Sequence, residues 1–373
     1  MSRFDWTLTI QLNVLVLKLS GLWPKSGDTT RTRGAILLTV FLLASLLSQI
    51  INIFYILHDL TALTKTIYVL FTEALFTAKA YYFVKNTTLI EHLLTTLNTE
   101  RFQPKDLKQV ALIQPGLRFW KLVYNTFMVM CGGANLFWAI FPLLDNSGED
   151  KPLPFLAWYP YNAKTSPMFE LTYLHQMASY IYICFTHINI DTLIAALNTY
   201  IGGQFDILCD NLRHLHESNI HAHLVECVEA HKQILDFANS SNQFFEWIIF
   251  LQISIGATII GLTLFNITIV TPFSTEFIYF ISFGMTMVVQ TFLYCWFGNE
   301  VQIKSNNVPY AAYQCKWTGF SPEMKRNLLF FIMRAQKPVQ MSALKIFYLS
   351  LESFVKILKT AWSYFALLHQ VSS

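Results

Sequence analysis

Seven stretches of this chain are long and apolar enough to cross a bilayer, and a chain that carries them has little choice of fold. They run over residues 34–57, 62–84, 118–144, 169–201, 243–270, 276–297 and 346–371. A span needs about 20 mostly apolar residues. Hydrocarbon offers the backbone no partner, so each span must close its own hydrogen bonds as a helix. The expected fold class is therefore all-α, a polytopic membrane protein with seven transmembrane helices. Charged residues make up 13% of the 373, against roughly 25% in soluble domains, and no internal repeat or soluble domain stands beside the spans.

The basic residues set the orientation. Lys and Arg number five in the N-terminal segment, four between 85 and 117, two between 202 and 242 and seven between 298 and 345. The opposite side holds only Lys65, Lys151 and Lys164. The positive-inside rule then places the N-terminus in the cytoplasm and the C-terminus outside, the reverse of a G-protein-coupled receptor. A net charge of +3 does not imply a nucleic-acid partner. The six cysteines (Cys131, Cys184, Cys209, Cys227, Cys295, Cys315) contain no C-x-x-C pair, and under this topology none lies in an external loop. Of the three glycosylation sequons, Asn86 and Asn239 fall on the cytoplasmic side and Asn266 lies against the membrane.

These observations divide the chain into six regions. Residues 1–33 form a cytoplasmic segment in which "LTIQLNVLVLKL" reads as an interfacial helix rather than a cleaved signal. Residues 34–201 hold the first four spans, 202–242 a cytoplasmic helical loop, 243–297 the fifth and sixth spans, 298–340 a basic cytoplasmic segment, and 341–373 the last helix. The fourth span is too long for a perpendicular crossing, so it tilts or continues into the cytoplasm as a helix. "KP" at Lys337 and Pro338 breaks the chain between the amphipathic "SPEMKRNLLFFIMRAQ" and the final span, which predicts two half-segments, one cytoplasmic and one in the membrane.

Catalytic constellations are missing. "HESNIH" places His216 and His221 five apart, where a zinc-binding helix face needs them four apart. The neighbouring His214, His223, His231 and Cys227 read as a solvated cytoplasmic helix rather than a metal site. No G-x-G-x-x-G, G-x-x-x-x-G-K-[ST] or G-x-S-x-G occurs. Neither an enzyme, a cofactor nor a bound metal is expected.

The last span carries charge where a simple anchor would not. At about 100° per residue, Lys356, Lys359, Ser363, Leu367 and Gln370 fall within about 60° of Glu352. This stripe narrows at its outer end to Leu367, Gln370 and Val371, where an apolar ring can gate by dewetting. Two arrangements satisfy it. Copies around an axis can line a conduit, or Lys356 and Lys359 can snorkel to the headgroups while Ser363 and Gln370 bond to a neighbouring helix. The helix alone does not choose between them.

"PYAAYQCKWTGFSPEMKRNLLFFIMRAQKPVQMSALKIFYLSLESFVKILKTAWSYFALL" resembles the C-terminal region of insect odorant receptors, on Tyr310, Ala312, Trp317, Arg334, Gln336, Lys337, Pro338 and the stretch from Leu351 to Tyr364. "LSGLWP" (Leu19 to Pro24) and "LPFLAWYPYNAKTSPMFELTYLHQ" (Leu153 to Gln176) resemble the family's N-terminal segment and second extracellular loop. The resemblance implies an odorant-gated, non-selective cation channel in the plasma membrane of sensory neurons, assembled as a tetramer with the olfactory co-receptor. It lacks the co-receptor's long insertion in the second cytoplasmic loop, which implies a tuning subunit. Regions 202–242 and 298–340 would anchor the subunits. The conduit reading gains accordingly, with Glu352, Lys356, Lys359 and Ser363 along the pore and Leu367, Gln370 and Val371 at its outer end, passing monovalent and divalent cations.

The same resemblance implies a pocket for a small volatile odorant or pheromone in the outer half of the second, third, fourth and sixth spans. The residues facing it there would be Tyr68, Phe71, Thr72 and Leu75; Cys131, Ala134, Asn135 and Trp138; Tyr173, Met177 and Tyr180; and Phe280 and Phe283. Affinity for such a ligand comes mainly from apolar burial, at roughly 25 cal/mol per Å². Asn135, Thr72 and the tyrosine hydroxyls favour one oxygen function over a pure hydrocarbon. The nearest alternative is an insect gustatory receptor: Ser363-Tyr364 and Gln370 keep that family's terminal spacing, but Val371 replaces its phenylalanine and the "LPFLAWYP" loop resembles the odorant branch. A G-protein-coupled chemoreceptor would need the opposite orientation.

Overall fold

The computed structural model describes residues 4–23, 42–144, 153–215 and 219–372. A 3-10 turn over Trp6–Ile10 leads into α1 (Gln11–Leu19), followed by α2 (Ala44–Ile56), α3 (Leu60–Lys85), α4 (Thr87–Leu97), α5 (Leu107–Leu144), α6 (Met168–Arg213), α7 (Ile220–Ile269), α8 (Thr275–Tyr313), α9 (Pro322–Ala335) and α10 (Leu351–Ser372). Among the described residues, α3, α6, α7 and α8 are long and apolar enough to cross a bilayer. Residues 34–41 of the first expected span lie outside the described ones.

Polar side chains start the helices that the hydropathy pattern outlines. Asp59 accepts from the amide of Ala62 at 3.0 Å at the start of α3, Ser274 from that of Phe277 at 3.2 Å before α8, and Ser321 from that of Met324 at 3.3 Å before α9, where Pro322 occupies the first turn. Each satisfies an amide that the first helical turn leaves without a partner.

The helices run further than the hydropathy indicates. α6 has 46 residues and α7 has 50, about 70–75 Å at 1.5 Å per residue, against a hydrocarbon thickness of about 30 Å. The described part of 202–242, expected as a helical loop, continues these two helices, and for the fourth span continuation was one of the two expected alternatives. The region 85–117 is likewise helical over most of its length: α4 begins at Thr87, and α5 begins at Leu107, eleven residues before the expected start at 118. Amphipathic spacing explains α4, which buries Ile90, Leu93, Leu94 and Leu97 on one face.

From Thr186 to Leu212 almost every side chain of α6 is buried. Its small and apolar residues are enclosed by α1, α5, α7 and α8. The N-terminal segment is fastened to it by the Asn13 amide donating to Thr192 Oγ1 at 2.7 Å and by the Tyr200 hydroxyl donating to the Trp6 carbonyl at 2.9 Å. The 3-10 turn and α1 together thereby bury Trp6, Ile10, Asn13 and Leu17 and leave Leu8, Leu12, Leu15 and Leu19 exposed on the other face, the two-sided character of a helix lying on a membrane surface. Asn266 of the third sequon is fully buried, accepting from Thr64 Oγ1 at 3.0 Å and donating to the Leu262 carbonyl at 3.0 Å. All six cysteines are free.

Between α9 and α10 lies an element the hydropathy does not announce. β1 (Ser342–Ala343) pairs antiparallel with β2 (Phe347–Tyr348). Leu344 and Lys345 turn the hairpin at φ of 52° and 57°, and the amide of Ile346 closes it on the Ala343 carbonyl at 3.0 Å. Positive φ at both central positions is the geometry of a two-residue hairpin turn whose twist matches its strands. The hairpin is held from two sides: the Ser342 amide donates to Asn242 Oδ1 of α7 at 2.8 Å and the Val339 amide to Ser305 Oγ of α8 at 3.0 Å. A side chain at Gly298 of α8 would overlap Leu349 just beyond it.

His231 shows how the lower part of the bundle closes. Its ring lies 6.4 Å from Phe205 of α6 and 5.3 Å from Phe331 of α9. It therefore faces the core, as does Cys227, where a solvated helix was expected; His216 lies outside the described residues. Burial, assisted by the Arg334 charge, lowers the His231 pKa to about 4. The folded value is below the unfolded one of about 6.5, so the folded state prefers the neutral ring. That contribution is complete above about pH 6.5 and is lost as pH falls toward 4. Thermal unfolding of the detergent-solubilised protein should show lower melting temperatures across this window, and His231→Phe should flatten the dependence. Gly298→Val should lower the melting temperature at every pH, because it forces Leu349 off α8.

Candidate functional site

A cavity opens among α3, α5, α6 and α8. Thr72 of α3 and Phe127, Cys131, Ala134 and Asn135 of α5 form one side of it; Tyr180, Ile183, Cys184, His187 and Ile188 of α6 and Tyr279, Ser282, Phe283, Thr286, Met287 and Gln290 of α8 form the other. Its volume is about 70 Å³. An engineered apolar cavity of roughly 150 Å³ holds one benzene, so an aromatic guest enters this one only as side chains move. Met287, unbranched and adaptable, is suited to yield.

Of the thirteen residues expected to face a ligand, Thr72, Cys131, Ala134, Asn135, Tyr180 and Phe283 lie on the wall. Tyr68 and Phe280 stand behind it: the Tyr68 ring meets Phe280 edge-on at 5.6 Å and Phe283 at 5.3 Å, and its hydroxyl reaches that of Tyr279 at 3.1 Å. Met177 is buried in the same apolar cluster, with Phe71 packed at its edge. Leu75 is fully buried away from the cavity, and the Tyr173 hydroxyl donates to the Ala139 carbonyl at 2.6 Å, which pins α6 to α5. The side chain of Trp138 lies outside the described ones. Helical spacing groups such residues on one face but does not say how far along the helix the cavity sits. It sits one to two turns nearer the C-terminal ends of α6 and α8 than expected, which brings in His187, Ser282, Thr286 and Gln290.

Beneath the cavity is a buried ionic cluster. Lys79 of α3 is fully enclosed, its ammonium 2.9 Å from Asp191 Oδ1, 2.6 Å from His187 Nε2 and 3.2 Å from the Tyr294 hydroxyl. The Tyr294 hydroxyl and the Gln290 amide both donate to Asp191, and Gln290 also lies 3.0 Å from His187 Nε2. Gln252 of α7 donates to Gln290 Oε1 at 3.0 Å. Four helices thus meet through one charge pair and its polar partners. Because the Lys79 ammonium and the Gln290 amide nitrogen only donate, His187 Nε2 accepts and the ring proton is assigned to Nδ1. His187 and Gln290 belong to the cavity wall and to this cluster at once. Sequence reasoning passed over the group, although a lysine and an aspartate within apolar spans are themselves the signal that would have found it.

α10 forms the second part of the site. Ile357 and Ala361 are buried against the bundle, and a side chain at Gly261 of α7 would come within 2.9 Å of the Ala361 carbonyl. Glycine there lets the two helices approach to backbone contact. Glu352, Lys356, Lys359, Ser363, Leu367, Gln370 and Val371 are all exposed in the single chain. Lys356 pairs with Glu352 at 2.6 Å, and the Ser363 hydroxyl donates to the Lys359 carbonyl at 3.0 Å. Among the described residues, no other helix of the chain covers this flank.

The family model described as 7tm Odorant receptor matches residues 59–362. Odorant receptor Or1 of Anopheles gambiae is 24% identical over 99% of this chain and 97% of its own length. Odorant receptor 13a of Drosophila melanogaster is 25% identical over 98% and 96%. Among solved structures, the insect olfactory receptor OR5 from Machilis hrabei in complex with eugenol superposes with a TM-score of 0.85 at 18% identity, covering 99% of this chain and all of that one.

The ionic cluster predicts a non-additive mutational pattern. Lys79→Met leaves the Asp191 carboxylate buried without its counter-charge, at a cost of about 3–5 kcal/mol, whereas replacing both charges by apolar groups of similar volume is often near neutral. Surface delivery of Lys79→Met should fall steeply. The double variant Lys79→Met with Asp191→Leu should recover much of it, as read by surface biotinylation and thermal unfolding.

Proposed function

This chain belongs to the odorant receptor family, and from that premise we propose that it is an odorant-gated, non-selective cation channel subunit that assembles with the olfactory co-receptor. In this reading seven helices, α2, α3, α5, α6, α7, α8 and α10, cross the plasma membrane of sensory neurons with the N-terminus inside and the C-terminus outside. The lower halves of α6 and α7, the lower half of α8 and α9 stand in the cytoplasm as the anchor between subunits. α10 lines the pore.

The observation that carries this proposal is the bare flank of α10. Glu352, Lys356, Lys359, Ser363 and Gln370 share one side of a helix whose opposite side is packed on the bundle. Such groups facing acyl chains would cost several kcal/mol each. Water at a shared axis removes that cost, and so favours several copies meeting there. Leu367 and Val371 then supply apolar surface at the outer end, where it can expel water and close the path.

The cavity is the proposed ligand site. The Machilis hrabei receptor was observed with eugenol, a small volatile, and the cavity here has the apolar wall such a molecule needs. Its guest must bind the open arrangement more tightly than the closed one, since only differential affinity shifts a population. α7 offers a physical connection: Gln252 touches Gln290 of the cavity wall, and two to three turns away Gly261 holds α10.

Cells expressing the chain with the co-receptor should show volatile-evoked cation currents, and the chain alone should show little. Equal current without the co-receptor would favour a self-sufficient channel of the gustatory kind. Gln370→Ala should alter relative cation permeability with surface delivery intact, and unchanged permeation would count against α10 as the pore wall. Gly261→Val should depress evoked current several-fold by pushing α10 from α7.

A further inference from the structure

The hydroxyls on the cavity wall have already given up their hydrogens. Thr72 Oγ1 donates to the Tyr68 carbonyl at 2.8 Å, Ser282 Oγ to the Tyr279 carbonyl at 2.8 Å, and Thr286 Oγ1 to the Ser282 carbonyl at 2.9 Å. Each bond returns to the preceding helical turn, as short hydroxyls do inside apolar helices. What these oxygens have left to offer a guest is lone pairs.

Asn135 shows the same bias. Its amide nitrogen lies 2.7 Å from the Cys131 carbonyl and 2.8 Å from Cys184 Sγ. The carbonyl can only accept, so the amide cannot be turned the other way round, and the side chain is 6% exposed. Its Oδ1 is a buried acceptor without a partner among the described residues. Gln290 directs its amide hydrogens at Asp191 and His187, away from any guest. The tyrosine hydroxyls of Tyr68, Tyr279 and Tyr180 are linked to one another. Against these acceptors stand the weak thiols of Cys131 and Cys184 and the one hydrogen that two bonds among three tyrosine hydroxyls leave over.

We infer that the cavity selects volatile ligands bearing a hydroxyl hydrogen, alcohols or phenols, over ethers, ketones, esters and hydrocarbons built on the same apolar body. A hydroxyl gives its hydrogen to the wall's unused lone pairs and can still accept from the tyrosine group. An ether or ketone can only accept, and leaves those lone pairs desolvated and unmet. This rests on the cavity being the odorant site, and it adds the chemical class of ligand that site prefers.

The test uses the full-length chain with its co-receptor and sets of volatiles that share one body and differ only in the head group: alcohol, methyl ether, ketone, hydrocarbon. The alcohol should reach half-maximal current at a concentration about tenfold or more below its ether and ketone, the equivalent of one buried hydrogen bond. Thr72→Val and Thr286→Val, made separately so that one misfolded variant does not decide the matter, should each narrow that gap in a variant that reaches the surface. Ethers or ketones as potent as the alcohols would overturn the inference and leave the channel reading standing. So would an unchanged gap in both variants. No current with any head group, at verified surface density, would overturn both.

Discussion

Inside a bilayer a polar side chain must be met by protein or by water, and this protein is organised around that requirement. Where Lys79 and Asp191 occur in apolar helices, α3, α6, α7 and α8 converge until His187, Gln290, Tyr294 and Gln252 complete their shell. Where Glu73 occurs in α3, Ser45 and Gln49 of α2 come to it at 3.0 and 2.9 Å. Where Glu352, Lys356 and Lys359 occur in α10, no other helix among the described residues comes to them. The first two cases hold helices together within a subunit. The third leaves a demand that other subunits and water can answer.

The position of the cavity follows from the same rule. Its floor is polar because the ionic cluster lies there, and its sides are apolar because the helices are. A guest in the proposed site would lie against His187 and Gln290 at one end, with Phe283 and Tyr180 around it. A change in side-chain packing there bears directly on the contacts that fix four helices in register. Close-packed interiors transmit such displacements instead of absorbing them. Beyond the floor, α7 carries both Gln252 and the glycine on which α10 rests, so the proposed ligand site and the proposed pore share one rigid element.

The half proposed to be cytoplasmic works by different physics. Trp6, Tyr200, Phe205 and Phe244 are almost completely enclosed there, and in the proposed orientation this half stands in water, where apolar burial drives assembly in the ordinary way. It also leaves apolar residues uncovered in the single chain. Leu329, Phe330 and Met333 of α9 are more than half exposed, on the helix that the proposed assembly places between subunits.

Much of this was legible in the residues. Hydropathy and the placement of Lys and Arg dictate long membrane helices and their proposed orientation, because the cost of bare backbone in lipid leaves one solution. The stripe on α10 is legible for the same reason: residues 352 to 370 are on one helix, and a helix fixes their relative angles. That Cys131, Ala134 and Asn135 share one face of α5 follows from the same angles; that this face and Thr72 should meet a ligand comes from the family resemblance. What periodicity cannot contain is a distance between helices. That Lys79 meets Asp191 across 112 positions of sequence, that the hairpin at Leu344 and Lys345 is clamped between α7 and α8, and that the cavity lies deeper than Tyr173 and Met177 were settled only when the helices packed. Local sequence determines which side of a helix is polar. The depth and partner of each polar group depend on side-chain volumes from four helices at once, and those become definite only in the folded chain.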